Sequence, residues 1–106
     1  MNYRVQFTPA ALDQLDALEE FIEAAGLPIA ASRYSEAIVA YCETFALFPL
    51  RGVKRDDILP GVRMTHFKSR TVISLRVDED NHVVSILGVF YGGQDYEAVL
   101  REPASD

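Results

Sequence analysis

TPAALDQLDALEEFIEAAGLPIAASRYSEAIVAYCETFALFP, residues Thr8 to Pro49, reads as two amphipathic helices joined by a tight turn. Thr8 offers a hydroxyl N-cap and Pro9 a first helical position that needs no amide hydrogen. Ala11, Leu12, Leu15, Leu18, Phe21, Ile22 and Ala25 recur at three- and four-residue steps, so they are expected on one helix face. Asp13, Asp16, Glu19, Glu20 and Glu23 take the opposite face. Gly26 accepts the left-handed conformation that ends a helix, and Pro28 opens the next. In the second helix Ala31, Tyr34, Ala37, Ile38, Tyr41, Cys42, Phe45 and Phe48 mark the apolar face, and Pro49 stops it. So short a gap predicts an antiparallel helical hairpin.

Outward from the hairpin the pattern changes period. Tyr3 to Phe7 (YRVQF) alternates and is expected to be a short first strand. After a connector, LRGVKRDDILPG (Leu50 to Gly61), three β-prone runs follow: Val62 to Phe67, Thr71 to Val77 and Val83 to Tyr91. The polar links KSR and DEDN between them suit hairpin turns. In the middle run Ile73, Leu75 and Val77 share one face, and Val72, Ser74 and Arg76 the other. A final helical turn is expected in QDYEAVL, from Gln94. An amphipathic helix pair needs an apolar surface to cover, and one face of a β-meander supplies it. The expected fold is therefore α+β and two-layered: an N-terminal strand, then an antiparallel helical hairpin packed on an antiparallel β-meander sheet. The other sheet face is left at least partly open to solvent or a partner.

The chain of 106 residues suits one domain spanning 1–106, with a single core. No apolar run is long enough to cross a bilayer, so no membrane partner is expected. The lone Cys42 cannot form an internal disulfide and suits a reducing cytoplasm. His66 and His82 stand on separate elements, without metal-ligand spacing, and no cofactor motif occurs. Cys42, on an apolar helix face, reads as a small buried hydrophobe rather than a nucleophile.

Charge is partitioned. The formal net charge is −6, yet Arg51, Lys54, Arg55, Arg63, Lys68, Arg70 and Arg76 all fall between residues 51 and 76, where the acids are only Asp56 and Asp57. Acidic flanks argue against direct DNA binding by the whole chain but leave room for one positive face. A solvated strand surface would carry the same residues. Metal-free RNA cleavage needs a base, an acid and cations around the phosphate. Arg63, Arg76 and Tyr91 are of the right types, if alternation places them on one face.

YRVQFTPAALDQLDALEEFI, followed by FPLRGVKRDDILPGVRMTHFKSRTVISLRVDEDNHVVSILGVFYGGQDYEAVL, resembles the RelE/ParE superfamily of toxins from type II toxin–antitoxin modules. The likeness runs from Tyr3 to Leu100. It is carried most specifically by Phe48-Pro49 with Arg51-Gly52, by LPGVR, by VISLRVDED and by ILGVFYGGQDYEAVL. The resemblance implies a helical hairpin on an antiparallel sheet, and one of two activities. RelE-like members cleave mRNA on the ribosome; ParE-like members poison DNA gyrase. Arg63 falls where the RelE pattern places a basic residue, but the next basic position reads Tyr91-Gly92-Gly93-Gln94, without arginine or lysine. A missing cation there removes charge stabilisation from the transition state. The resemblance thus implies a ParE-like inhibitor of gyrase, with no catalytic residues and no cofactor; the alternative is a RelE-like endoribonuclease. It also implies a ParD-like antitoxin with an acidic arm. Arg63, Lys68, Arg70, Arg76 and Tyr91 are the residues expected to meet the antitoxin or the target.

Overall fold

The computed structural model describes residues 2–92. Strand β1 (Arg4–Phe7) leads into helix α1 (Pro9–Ala24) and helix α2 (Pro28–Glu43), which a 3-10 turn (Thr44–Ala46) extends. Strands β2 (Val53–Lys54), β3 (Val62–Phe67), β4 (Thr71–Asp78) and β5 (Val83–Tyr91) follow. The last helical turn expected from Gln94 lies outside the described residues.

Local chemistry explains the helix ends. Thr8 Oγ1 accepts the Ala11 amide at 3.2 Å and caps α1, with Pro9 at its first position. Gly26, at φ +87°, takes the left-handed turn that sends the chain back into α2. No side chain caps α2, so Pro28 alone marks its start. The two helices pack against each other, and α1 also packs on β5.

The sheet order is β1-β5-β4-β3-β2. The meander β3-β4-β5 is antiparallel as expected, but β1 lies parallel to β5, so the sheet is mixed. That pairing follows from topology. With two helices between them, β1 and β5 can run in the same direction. Strand β2, inside the segment read as connector, adds an antiparallel edge with Val53 opposite Met64. Its two residues are too few for an alternation pattern to register.

The main core lies between the hairpin and one sheet face. Leu15, Leu18, Ile38, Cys42 and Phe45 meet Ile73, Leu75, Val84, Ile86 and Val89 there. Gln14 Oε1 accepts the Val89 amide at 2.6 Å and pins α1 to the strand beside an irregularity in the β4–β5 register. Leu12, Phe21 and Phe48, expected on buried helix faces, are exposed, and Ile22 is only partly buried. The apolar stripe is wider than the sheet beneath it, and Phe48 lies beyond the end of α2. On the opposite sheet face Ile58, Val62 and Met64 form a second, smaller cluster with Leu59, Val72 and Leu87. The connector covers that face in part.

Candidate functional site

The β3–β4 register decides which cations can act together. Val62 pairs with Arg76, and Arg63 with Leu75. Residues directly opposite in a sheet project to the same side, so Arg63 is on the helix side and Arg76 on the other. The single positive face expected from Arg63, Lys68, Arg70 and Arg76 therefore does not form: the pairing is offset by one residue, which turns the two arginines apart. Each guanidinium is engaged with backbone. Arg63 donates from Nε to the Arg51 carbonyl at 2.9 Å, and from Nη2 to the Leu50 and Gly52 carbonyls at 3.0 and 3.4 Å. Arg76 Nη2 donates to the Pro60 carbonyl at 2.7 Å.

Lys68, Arg70 and Tyr91 are brought together at one end of the molecule, around the β3–β4 turn. Lys68 turns the chain at φ 55°, a left-handed conformation costly for a residue with a Cβ. Its Nζ lies 5.9 Å from the ring centroid of Tyr34 and 5.6 Å from that of Phe67. Tyr34 is fixed by a 2.6 Å hydrogen bond between its hydroxyl and Thr71 Oγ1. It packs edge-on against Phe67 and Tyr91, and Tyr91 in turn against Phe21. Lys68 thus sits at one end of a row of four rings, Arg70 lines a groove with two of them, Phe21 and Tyr91, and neither cation forms an ion pair among the described residues.

A groove opens on each side of this turn. One, of about 490 Å³, lies between α1 and the end of β5 and is lined by Leu18, Phe21, Arg70 and Tyr91. The other, of about 590 Å³, lies at the start of α2 and is lined by Leu27, Ile29, Arg33, Tyr34 and Lys68. Phe21, Leu27 and Ile29 are exposed apolar residues that the sequence reading did not assign to a site. The signal was present, since Leu27 and Ile29 flank the helix-opening Pro28 where polar residues would serve a solvated turn equally well.

Chemically, this end combines cationic side chains, Lys68 over aromatic rings among them, with apolar grooves on either side. Elsewhere, burial and then Glu43 push the Cys42 thiol up to about 12, leaving it protonated and inert. Among the described residues no three His, Cys, Asp or Glu side chains are placed to share a metal ion. No helix among them is long and apolar enough to cross a membrane.

Known proteins share this architecture. The toxin–antitoxin complex RelBE2 from Mycobacterium tuberculosis matches with a TM-score of 0.64 and 22% identity, over 86% of this chain and 99% of that one. The chromosomal ParDE system from P. aeruginosa gives 0.73 and 21%, over 85% and 96%. An arginine-substituted mutant of the E. coli toxin RelE in the free state gives 0.65 and 13%, over 95% of each chain. These likenesses show a common fold. No curated protein matches the sequence. The family model for the ParE toxin of the type II toxin–antitoxin system, parDE, matches residues 5–96, and the chain belongs to that family of toxins.

Proposed function

We propose that this ParE-family toxin acts by binding rather than catalysis, inhibiting DNA gyrase, and that a ParD-like antitoxin neutralises it in the cytoplasm. The observation that carries the reading is the disposition of the arginines. Arg63 and Arg76 project from opposite sheet faces, and both guanidiniums are held by backbone carbonyls. They cannot converge on one phosphate, which cleavage of RNA would ask of them. Lys68, Arg70 and Tyr91 flank one turn, beside two apolar grooves, and in this reading that end suits an acidic, amphipathic arm. The antitoxin arm docks there in this reading, its charges setting the association rate and its apolar residues most of the affinity.

Induced expression with separate readouts tests the target. Accumulation of gyrase–DNA cleavage complexes and filamentation with intact transcripts is the expected outcome. New transcript ends on translating ribosomes, abolished by Arg63→Ala, would replace this reading with the RelE-like one. The docking surface is tested by Lys68→Glu combined with Arg70→Glu. At low salt antitoxin association should slow at least tenfold, and much less at high salt. An unchanged rate would place the arm elsewhere.

A further inference from the structure

Along the β2 edge of the sheet, the segment from Leu47 to Val53 exposes four large apolar side chains in seven residues. Leu47 is 63% exposed, Phe48 59%, Leu50 54% and Val53 66%. Scattered exposed apolar residues need no explanation, but a contiguous patch does. A slack loop would fold such side chains onto the nearest apolar surface. This one is held off it.

Three contacts fix the loop. Arg63 reaches from β3 and donates to the carbonyls of Leu50, Arg51 and Gly52. Gly52, at φ +80°, lies so close to β3 that a Cβ there would stand 2.3 Å from the Met64 carbonyl oxygen. The Arg51 guanidinium rests over the rings of Tyr41, Phe45 and Phe48 at 5.5, 5.6 and 5.3 Å. The exposure is thus built in, and a partner would meet a surface already ordered.

The patch also adjoins an open sheet edge. Among the described residues, strand β2 is the last in the sheet order and pairs only with β3. Arg55 donates its amide inward to the Val62 carbonyl at 2.9 Å. By alternation the Lys54 amide points outward, away from β3. Unpaired edges invite another strand, and Lys54 on the edge is the kind of residue that repels a like copy. Two copies meeting here would oppose Arg51 and Lys54 to their own counterparts. Lys54 has only a weak, exposed ion pair with Asp56 at 3.9 Å. Charge therefore selects an acidic occupant, and the edge selects an extended one.

We propose that Leu47 to Val53 and the free edge of β2 form a second docking strip. An extended, acidic stretch of the antitoxin lies along it, adding a strand to β2 and covering Phe48, Leu50 and Val53. The inference rests on the toxin–antitoxin reading, because it takes the antitoxin as the source of that stretch. It gives Arg63 a positioning role: the side chain shapes the strip from behind and does not touch the partner.

The test uses the full chain, free and in complex with its antitoxin. Amide exchange at Lys54 should slow at least tenfold in the complex. Leu50→Ser and Val53→Asp should each speed dissociation at least tenfold while the thermal midpoint of the free chain stays put. Arg63→Lys, which keeps the charge but not the fork of donors, should weaken binding without changing its salt dependence. A complex with unchanged Lys54 exchange and parent-like dissociation of both surface variants would overturn the strip and leave the toxin–antitoxin reading intact. Failure to form any complex would overturn both. Protection of Lys54 in the free chain, with a dimeric sedimentation value, would assign the edge to a second copy and overturn the proposal.

Discussion

Ile73 and Leu75 share a core with Ile38, Cys42 and Phe45 and are fully buried. One residue away on the same strand, Val72, Ser74 and Arg76 belong to a face that, among the described residues, the connector carrying Ile58 and Leu59 covers. The helix side is covered by two helices of 16 residues each. The other side is covered by a loop tied down through the Ile58 and Leu59 amides to the Arg55 carbonyl, and the Gly61 amide to Asp56. The difference teaches that alternation assigns a residue to a face, while the cover decides what that face is worth. A thick cover gives stability. A thin one leaves room for Arg76 and His66 at the surface.

The largest expected effect tests the helix side. Ile38→Ala and Leu75→Ala should each cost about 2–5 kcal/mol in denaturant unfolding. A parent-like midpoint for either would erase the distinction between the faces. Met64→Ala, on the thin side, should cost about 2 kcal/mol, at the low end of that range, because a loop cover can settle into the space. A loss equal to that of Leu75→Ala would mean the connector is as rigid as the helices.

Gly88 tests fit rather than depth. A Cβ there would lie 2.6 Å from the Phe90 ring and 3.0 Å from Ser74 Oγ, so Gly88→Ala should cost about 1–2 kcal/mol by overpacking. Combining it with Phe90→Ala should cost less than the two changes added separately, a coupling that a double-mutant cycle reads directly. Arg76→Ala removes one exposed hydrogen bond to Pro60 and should change stability by no more than about 1 kcal/mol.

The smallest effect is invisible at neutral pH. Burial raises the Cys42 thiol from 9.0 to about 12 in the folded chain. Between those values the unfolded chain has lost a proton that the folded chain keeps. Stability therefore falls as pH rises through that window, and is untouched below it. Cys42→Ala should flatten this part of the profile relative to the parent. Parallel profiles would show that the thiol reaches solvent.

Much of this was legible in the sequence. Thr8-Pro9, Gly26 and Pro28 mark the hairpin, and alternation in Val72 to Val77 assigns the two faces correctly. The parallel seat of β1 was not legible, because nothing in YRVQF names its neighbour. Nor was β2, since two residues make no period. The place of the cations was legible in part. Lys68 and Arg70 were expected at a turn between strands, and the β3–β4 turn holds both. The joint action of Arg63 and Arg76 depended on a register that no turn sequence states. The grooves went unread because Phe21 and Ile29 look like ordinary helix residues, and Leu27 like part of the turn between helices, until the neighbouring strand ends are in place.

The seat of β1 has a consequence for how the chain comes to be. Arg4 pairs with Val83 and Phe7 with Ile86, so among the described strands the first pairs with the one made last. Contacts of such sequence separation close late, after the local helices and hairpins have formed. During synthesis the helical hairpin emerges before any of the strands it will cover, and its apolar stripe has to wait. A nascent chain ending before Val83 has no seat for its first strand and only part of its main core. The sheet of the described residues cannot close until β5 has been made, so its first strand stays unseated through the synthesis of both helices and the other strands.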